Sequence, residues 1–365
     1  MSKRTVAILA AALVVLLALV IFAQRGSKPV GNGSALVPGL AAALGDLERV
    51  TVTKANGEIV ATLEKRPDNW VVADKNGYTA NAAKLRQALT ALSEAHIVEQ
   101  KTANPDLYAR LGVEDVTAAN AAGVSIALTA AGHELPTIIL GNAEGSKFRY
   151  VRRAGEAQSY LIDRNPDVPR ATAQWVDSVI LDVRGDRVRE VTITHGDGEV
   201  VHISKESPEL ANYDVADVPK GRELSYPGVA NVIGNSLREL NLEDVAPAGA
   251  APEKPTIVEY RTFDGLVVRI TGTKAGDQDW ITVEASVDEA LAAAAAPPAA
   301  PAEGAPAAEG AAAPGAAPTP PAADPKAEAA RINARTSGWR YKIAGYQYDQ
   351  MTRHMADLLK APPPA

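Results

Sequence analysis

Cysteine is absent from all 365 residues. That excludes a disulfide framework, a zinc–thiolate site and a lipid-modified cysteine. Aromatic residues make up only 5% of the chain, so few large side chains are available to anchor a core. No GxSxG elbow, P-loop or HExxH pair occurs, so the common hydrolase, nucleotide and zincin signatures are missing. A basic surplus is also missing. The formal net charge is −7, so no nucleic-acid partner is expected.

One long uncharged run is present. Lys3 and Arg4 precede residues 5–23, which carry no charge. At 1.5 Å per residue a helix of that length spans roughly 28 Å, about one hydrocarbon core. The run exceeds the usual core of a cleaved signal peptide, so it is read as a transmembrane signal anchor. A removed signal peptide is the alternative. The expected order is a cytoplasmic tail (1–4), the anchor (5–23) and a flexible stalk (24–36), with the bulk of the chain periplasmic. The bilayer is thus the first expected partner, through residues 5–23.

The rest is dominated by a repeat. LERVTVTKANGEIVATLEK, starting at Leu47, returns as VREVTITHGDGEVVHISKE, starting at Val188. Val50-Thr51-Val52-Thr53 matches Val191-Thr192-Ile193-Thr194. Asn56-Gly57-Glu58 matches Asp197-Gly198-Glu199. Each version reads as two strands folded on a glycine turn, with Asn56-Gly57 suited to a two-residue type I′ loop. Further on, Leu85, Leu89 and Leu92 match Ile233, Leu237 and Leu240, and Tyr78 matches Tyr226, which predicts a packing helix in each copy. Asn81 is the expected N-cap of the first. A further helix is expected over residues 170–183, and a closing helix over residues 346–360.

The fold class is therefore α+β: a transmembrane helix, then two tandem repeats of antiparallel or mixed sheet with packing helices. The first repeat is expected over 37–185 and the second over 186–365. Ala and Pro fill most of residues 292–323, so a disordered loop over 290–325 interrupts the second repeat. If the repeats are real, Trp280 to Val283 and Trp339 to Ile343 are sheet neighbours across that loop.

No catalytic constellation emerges. The acids of Glu243-Asp244 and Asp288-Glu289 are adjacent and do not converge. The histidines are His96, His133, His195, His202 and His354. They form no short-spaced ligand pair and are read as surface or structural residues, with no metal and no cofactor expected. The tryptophans Trp70, Trp175, Trp280 and Trp339 are read as core anchors. The only site candidates are groove-lining: Trp70, Tyr78 and Tyr226.

Several of these features together resemble the domain of unknown function 4340 family. They are Val37-Pro38-Gly39-Leu40, the first hairpin, Trp70, Gly77-Tyr78 and the leucine-patterned helix. Tyr108-Ala109-Arg110-Leu111-Gly112-Val113, Leu140-Gly141 and the Trp175–Leu181 segment complete the set. The resemblance implies a membrane-anchored bacterial envelope protein of the inner membrane. It also implies a link, in some members, to uncharacterised ABC-type transport systems, including an auxiliary component connected with gliding motility. The expected function is a non-enzymatic accessory or scaffold component, with transporter subunits or other envelope proteins as partners. The alternatives are a module that binds an envelope polymer or glycan, and a hydrolase with an unrecognised site.

Overall fold

The computed structural model describes residues 33–276, 278–295 and 324–361. The expected anchor at 5–23 and most of the Ala/Pro segment lie outside the described residues. Among the described residues no helix is long and apolar enough to cross a membrane. The chain divides into two compact units between Asp177 and Ser178, and each is an α+β assembly built on one antiparallel sheet.

The first unit has β1 (Leu47–Lys54), β2 (Glu58–Lys65), β3 (Trp70–Val72), β4 (Tyr78–Thr79), β5 (Ile97–Gln100), β6 (Val124–Ala130), β7 (Ile138–Glu144), β8 (Phe148–Arg153) and β9 (Ser159–Ile162). Their order in the sheet is β4-β3-β2-β1-β6-β7-β8-β9-β5. The second unit has β10 (Val179–Leu181), β11 (Val188–Thr194), β12 (Val200–Ser204), β13 (Asp214–Val215), β14 (Leu240–Pro247), β15 (Thr256–Thr262), β16 (Leu266–Ala275), β17 (Gln278–Val287) and β18 (Trp339–Ile343). Read from β13, its order is β13-β12-β11-β15-β16-β17-β18-β14-β10. From the second hairpin strand onward the two orders correspond one for one: β2 with β12, β1 with β11, then β6 to β9 with β15 to β18, and β5 with β14. The matched hairpin residues, Val50–Thr53 in β1 and Val191–Thr194 in β11, occupy the same sheet position in each unit.

Alternation explains why these segments are strands. Val50 and Val52 in β1, and Val191 and Ile193 in β11, are completely buried, while neighbours such as Thr51 and Thr192 are only half-buried. One face is thereby committed to the core. Across the Ala/Pro segment, Trp280 pairs with Lys342 and Ile281 with Tyr341, as the repeat predicts. Beyond that short ladder β17 needs other partners. Asn333 supplies them from the helix Pro325–Thr336, accepting from the Ala285 N–H at 2.8 Å and donating to its carbonyl at 2.7 Å.

Several local expectations need correction. The turn at Asn56-Gly57 is a three-residue loop, because a bulge between Val52 and Thr53 shifts the register. Both residues nevertheless adopt positive φ, 61° and 67°. The end of the expected stalk is docked: Leu36 is fully buried and its N–H donates to the Ala95 carbonyl at 2.8 Å. The first residues of the expected 290–325 loop are ordered, since Glu289–Ala295 is helical.

The helix expected over 170–183 is one tight turn, Thr172–Trp175, followed by strand β10 in the second sheet. The β-branched Val176, Val179, Ile180 and Val183 favour extended backbone there. In the first unit the predicted helix forms: α1 (Ala82–Ser93) is capped by Asn81, whose side chain accepts from the Lys84 N–H at 2.9 Å. Its counterpart, α2 (Asn231–Gly234), is a single turn. Gly234 and Asn235 are poor helix formers, and Leu240 begins β14 instead. Ile233, Leu237 and Leu240 are all fully buried even so. The closing helix is also broken, into α3 (Gly345–Met351) and α4 (Met355–Leu358). Of the tryptophans, only Trp175 is fully buried; Trp70, Trp280 and Trp339 are half-buried.

The Tyr108–Val113 segment has a packing role. Its helical turn ends on Gly112 in left-handed backbone, φ 67°. The turn lies directly on β7, where a Cβ on Gly141 would come within 2.3 Å of the Leu111 carbonyl oxygen. The buried Arg152 holds the seam from the sheet side. It donates to the Val113 carbonyl at 2.8 Å and to Asp115 at 2.6 Å, with its guanidinium 4.6 Å above the Tyr108 ring. Gly141→Ala is therefore expected to destabilise the first unit by about 1–3 kcal/mol through overpacking. Gly45→Ala, where a Cβ meets nothing within 4 Å, is expected to be neutral or slightly stabilising. Urea denaturation of the two variants checks this; equal midpoints would refute the packing account.

Candidate functional site

The β11–β12 turn gathers the polar groups of interest. Thr194 and Val200 form the last ladder pair. Beyond them the His195 N–H donates to the Glu199 carbonyl at 2.9 Å, and the Gly198 N–H donates back to the His195 carbonyl at 2.9 Å. The loop is thus Gly196-Asp197-Gly198, with Gly198 at φ 96°. Gly196 is needed for a different reason. A Cβ there would lie 2.1 Å from the Lys254 carbonyl oxygen, so only glycine lets the turn settle on that backbone. The turn sends His195 into the protein, 6% exposed, and leaves Glu199 half-buried.

The third residue arrives from the far end of the chain. His354 is the N-cap of α4, in a capping box with Asp357, whose carboxylate accepts the His354 N–H at 2.9 Å. Glu199 bridges to it with both oxygens. Oε1 accepts the Met355 N–H at 2.8 Å, and Oε2 is in direct contact with His354 Nδ1. The rings of His195 and His354 stack with centroids 3.8 Å apart and planes 13° from parallel. His195 Nε2 lies 3.4 Å from the Arg353 carbonyl oxygen. One ligating atom from each of His195, Glu199 and His354 falls within 4.8 Å of the other two.

The electrostatics follow from burial and pairing. Burial lowers the His195 pKa, and the charge of the neighbouring His354 adds to that. Burial alone pushes the Glu199 carboxyl up. Its bonds to His354 and to the Met355 N–H more than offset that, holding it below the ordinary glutamate value. The resting arrangement is an ionised carboxylate with one buried and one exposed imidazole against it.

His195 and His354 also line an open cleft of about 870 Å³, together with Lys254, Lys274, Tyr346 and Tyr348. Lys274 is occupied: it bonds Asp349 at 3.1 Å and lies 3.9 Å from the buried Asp279. Burial raises the Asp279 pKa. Gly272 admits the Tyr348 ring, which a Cβ there would meet at 2.7 Å.

The residues expected to line a groove are placed elsewhere. Trp70 is half-buried in β3, Tyr78 is buried in β4, and Tyr226 is 58% exposed. None of the three lines this cleft. The match of Tyr226 to Tyr78 therefore does not extend to environment. The remaining histidines have local roles. His133 Nε2 lies 3.2 Å from Asp46, and His202 Nδ1 lies 3.1 Å from the Thr192 hydroxyl. The His96 N–H donates to Asp163 at 2.8 Å. Sequence reasoning missed the His195–Glu199–His354 cluster because 155 positions separate Glu199 from His354. The readable signal was local: a His-x-x-Asp capping pattern at 354–357 and a glycine turn flanked by His195 and Glu199.

Comparison with curated proteins and with solved structures finds no match. The profile of the family described as "Domain of unknown function (DUF4340)" matches residues 70–259. That span is just over half the chain, runs from β3 through most of β15, and includes the His195–Glu199 turn but not His354. The chain belongs to the DUF4340 family.

Proposed function

We propose that this is a non-enzymatic, membrane-anchored envelope protein, an accessory or scaffold component that offers two copies of one sheet module to partner proteins. In this reading residues 5–23 are the anchor, the two units are tandem copies of one ancestral fold on the periplasmic side, and the partners are subunits of an ABC-type transport system. The observation that carries it is the shared strand order of the two sheets, combined with what both hairpins leave exposed. Ile59 is the second residue of β2 and Val200 the first of β12, at the same sequence shift as the matched hairpins, and each is 53% exposed. A large apolar residue kept in solvent at the same point of two copies fits a contact surface better than a folding need. The Tyr108–Val113 segment adds support, because its groups are engaged in backbone packing.

Two experiments test the parts separately. The anchor is tested by alkaline carbonate extraction of membranes. The full chain is expected in the pellet and a chain lacking residues 1–32 in the supernatant; release of the full chain would remove the anchor from the reading. The scaffold role is tested by affinity recovery from a mild-detergent extract at native expression. Membrane transport subunits are expected to co-purify with the wild-type chain and to be depleted with the Ile59→Asp/Val200→Asp variant. Both positions are exposed, so stability is expected to change by only about 0.5 kcal/mol or less per site. Recovery of the chain alone from the wild type, or an undiminished set from the variant, would count against the surface.

A further inference from the structure

We propose that His195, Glu199 and His354 form a binding site for one borderline divalent transition-metal ion, of the Zn²⁺ or Co²⁺ type. The donor set is two imidazoles and one carboxylate. That combination suits zinc and its neighbours better than calcium or magnesium, which prefer all-oxygen shells. One ligating atom of each residue already lies within 4.8 Å of the others, and a small movement brings them to the roughly 3–4 Å between ligands about 2 Å from a common centre.

The surroundings resemble a metal site's outer shell. His195 is the fixed ligand: its ring is buried, and its Nε2 faces the Arg353 carbonyl at 3.4 Å. A backbone carbonyl in that position holds the proton on Nε2 and leaves Nδ1 with its lone pair. Glu199 is held through Oε1 by the Met355 N–H, so Oε2 is the ligating oxygen. Two rings stacked at 3.8 Å cannot both aim lone pairs at a single ion. One must turn on binding, and it is His354, whose side chain is 47% exposed on the segment between two short helices. The ion then takes the place of the direct His354–Glu199 contact. The remaining coordination positions face the cleft and are filled by water.

The charge balance permits this. Glu199 supplies one negative charge against the ion's two positive ones. Lys274, which lines the same cleft, is paired with Asp349 at 3.1 Å and lies 3.9 Å from Asp279. The inference does not depend on the scaffold reading, because a metal at this turn would bind whether or not the hairpin tips meet a partner.

The test uses the untagged full-length chain in detergent, stripped of metal with a chelator. Co²⁺ titration followed by visible absorption, and Zn²⁺ competition against a chromophoric indicator, give stoichiometry and affinity. One ion per chain is expected, with visible bands of nitrogen- and oxygen-ligated cobalt. Excess Ca²⁺ and Mg²⁺ should not displace it. His354→Ala and Glu199→Gln are each expected to weaken binding by at least about tenfold, while His202→Ala, on the same hairpin, should bind as the wild type does. Metal-free circular dichroism checks that each variant is folded. The wild-type stoichiometry decides the question independently of the variants: no saturable binding overturns the site, as does undiminished binding by both ligand variants.

Discussion

Everything in both units depends on burying the inward face of one central strand. β1 lies between β2 and β6, and β11 lies between β12 and β15. Each therefore has its backbone donors and acceptors paired on both sides, and its inward valines and isoleucine are closed to solvent. A one-residue slip would move Val50 and Val52, or Val191 and Ile193, to the opposite face. The register of the neighbouring strands is fixed through these two strands, and the positions of both hairpin turns follow from it. With few aromatic residues, the core is built mainly from aliphatic side chains that fit this alternation.

The same constraint explains how two turns matched in sequence come to differ in chemistry. At the repeat's own shift, Lys54 and Glu58 stand where His195 and Glu199 stand in the second unit. Lys54 Nζ and Glu58 Oε1 are 2.8 Å apart on the exposed surface, so the first glutamate is neutralised by its neighbour across the turn. An exposed pair of this kind contributes little to stability. In the second unit the cation is replaced by an imidazole that points inward, and the glutamate is matched by His354 from the last connecting segment of the chain. The hairpin stem is set by the sheet, and its tip is free to vary. One tip closes on itself, while the other ties the end of the chain to the sheet.

Much of the fold was legible because it rests on local periodicity. The alternating hairpin residues, the Asn81 cap and the pairing of Trp280 with Lys342 across an interruption all follow from pattern and register. The failures share a cause. Apolar residues at 175, 176, 179 and 180 satisfy helical spacing, yet β-branched side chains and a place at the sheet edge made a strand of the latter part. Ile233, Leu237 and Leu240 keep the burial expected of a helix face while Gly234 and Asn235 end the helix after one turn. Burial was readable at these positions and backbone conformation was not. The cluster at His195 was illegible for another reason. It requires knowing that α3 and α4 return the chain to the β11–β12 turn, which no window of local sequence contains.

Family membership and the chemistry of this cluster are separate questions. Within the matched span, Gly141 and the Tyr108–Val113 segment are occupied in backbone contact: an added methyl group at Gly141 would strike the Leu111 carbonyl, and Arg152 is fully engaged with the same seam. Such residues specify a fold and leave its exposed tips unassigned. The matched span also ends before His354. Two of the three clustered side chains thus lie inside the recognised region and the third outside it. What the cluster does is decided by how the C-terminal helices seat against the second sheet, through the Glu199 contacts to His354 and Met355, and membership of the family carries no information about that contact.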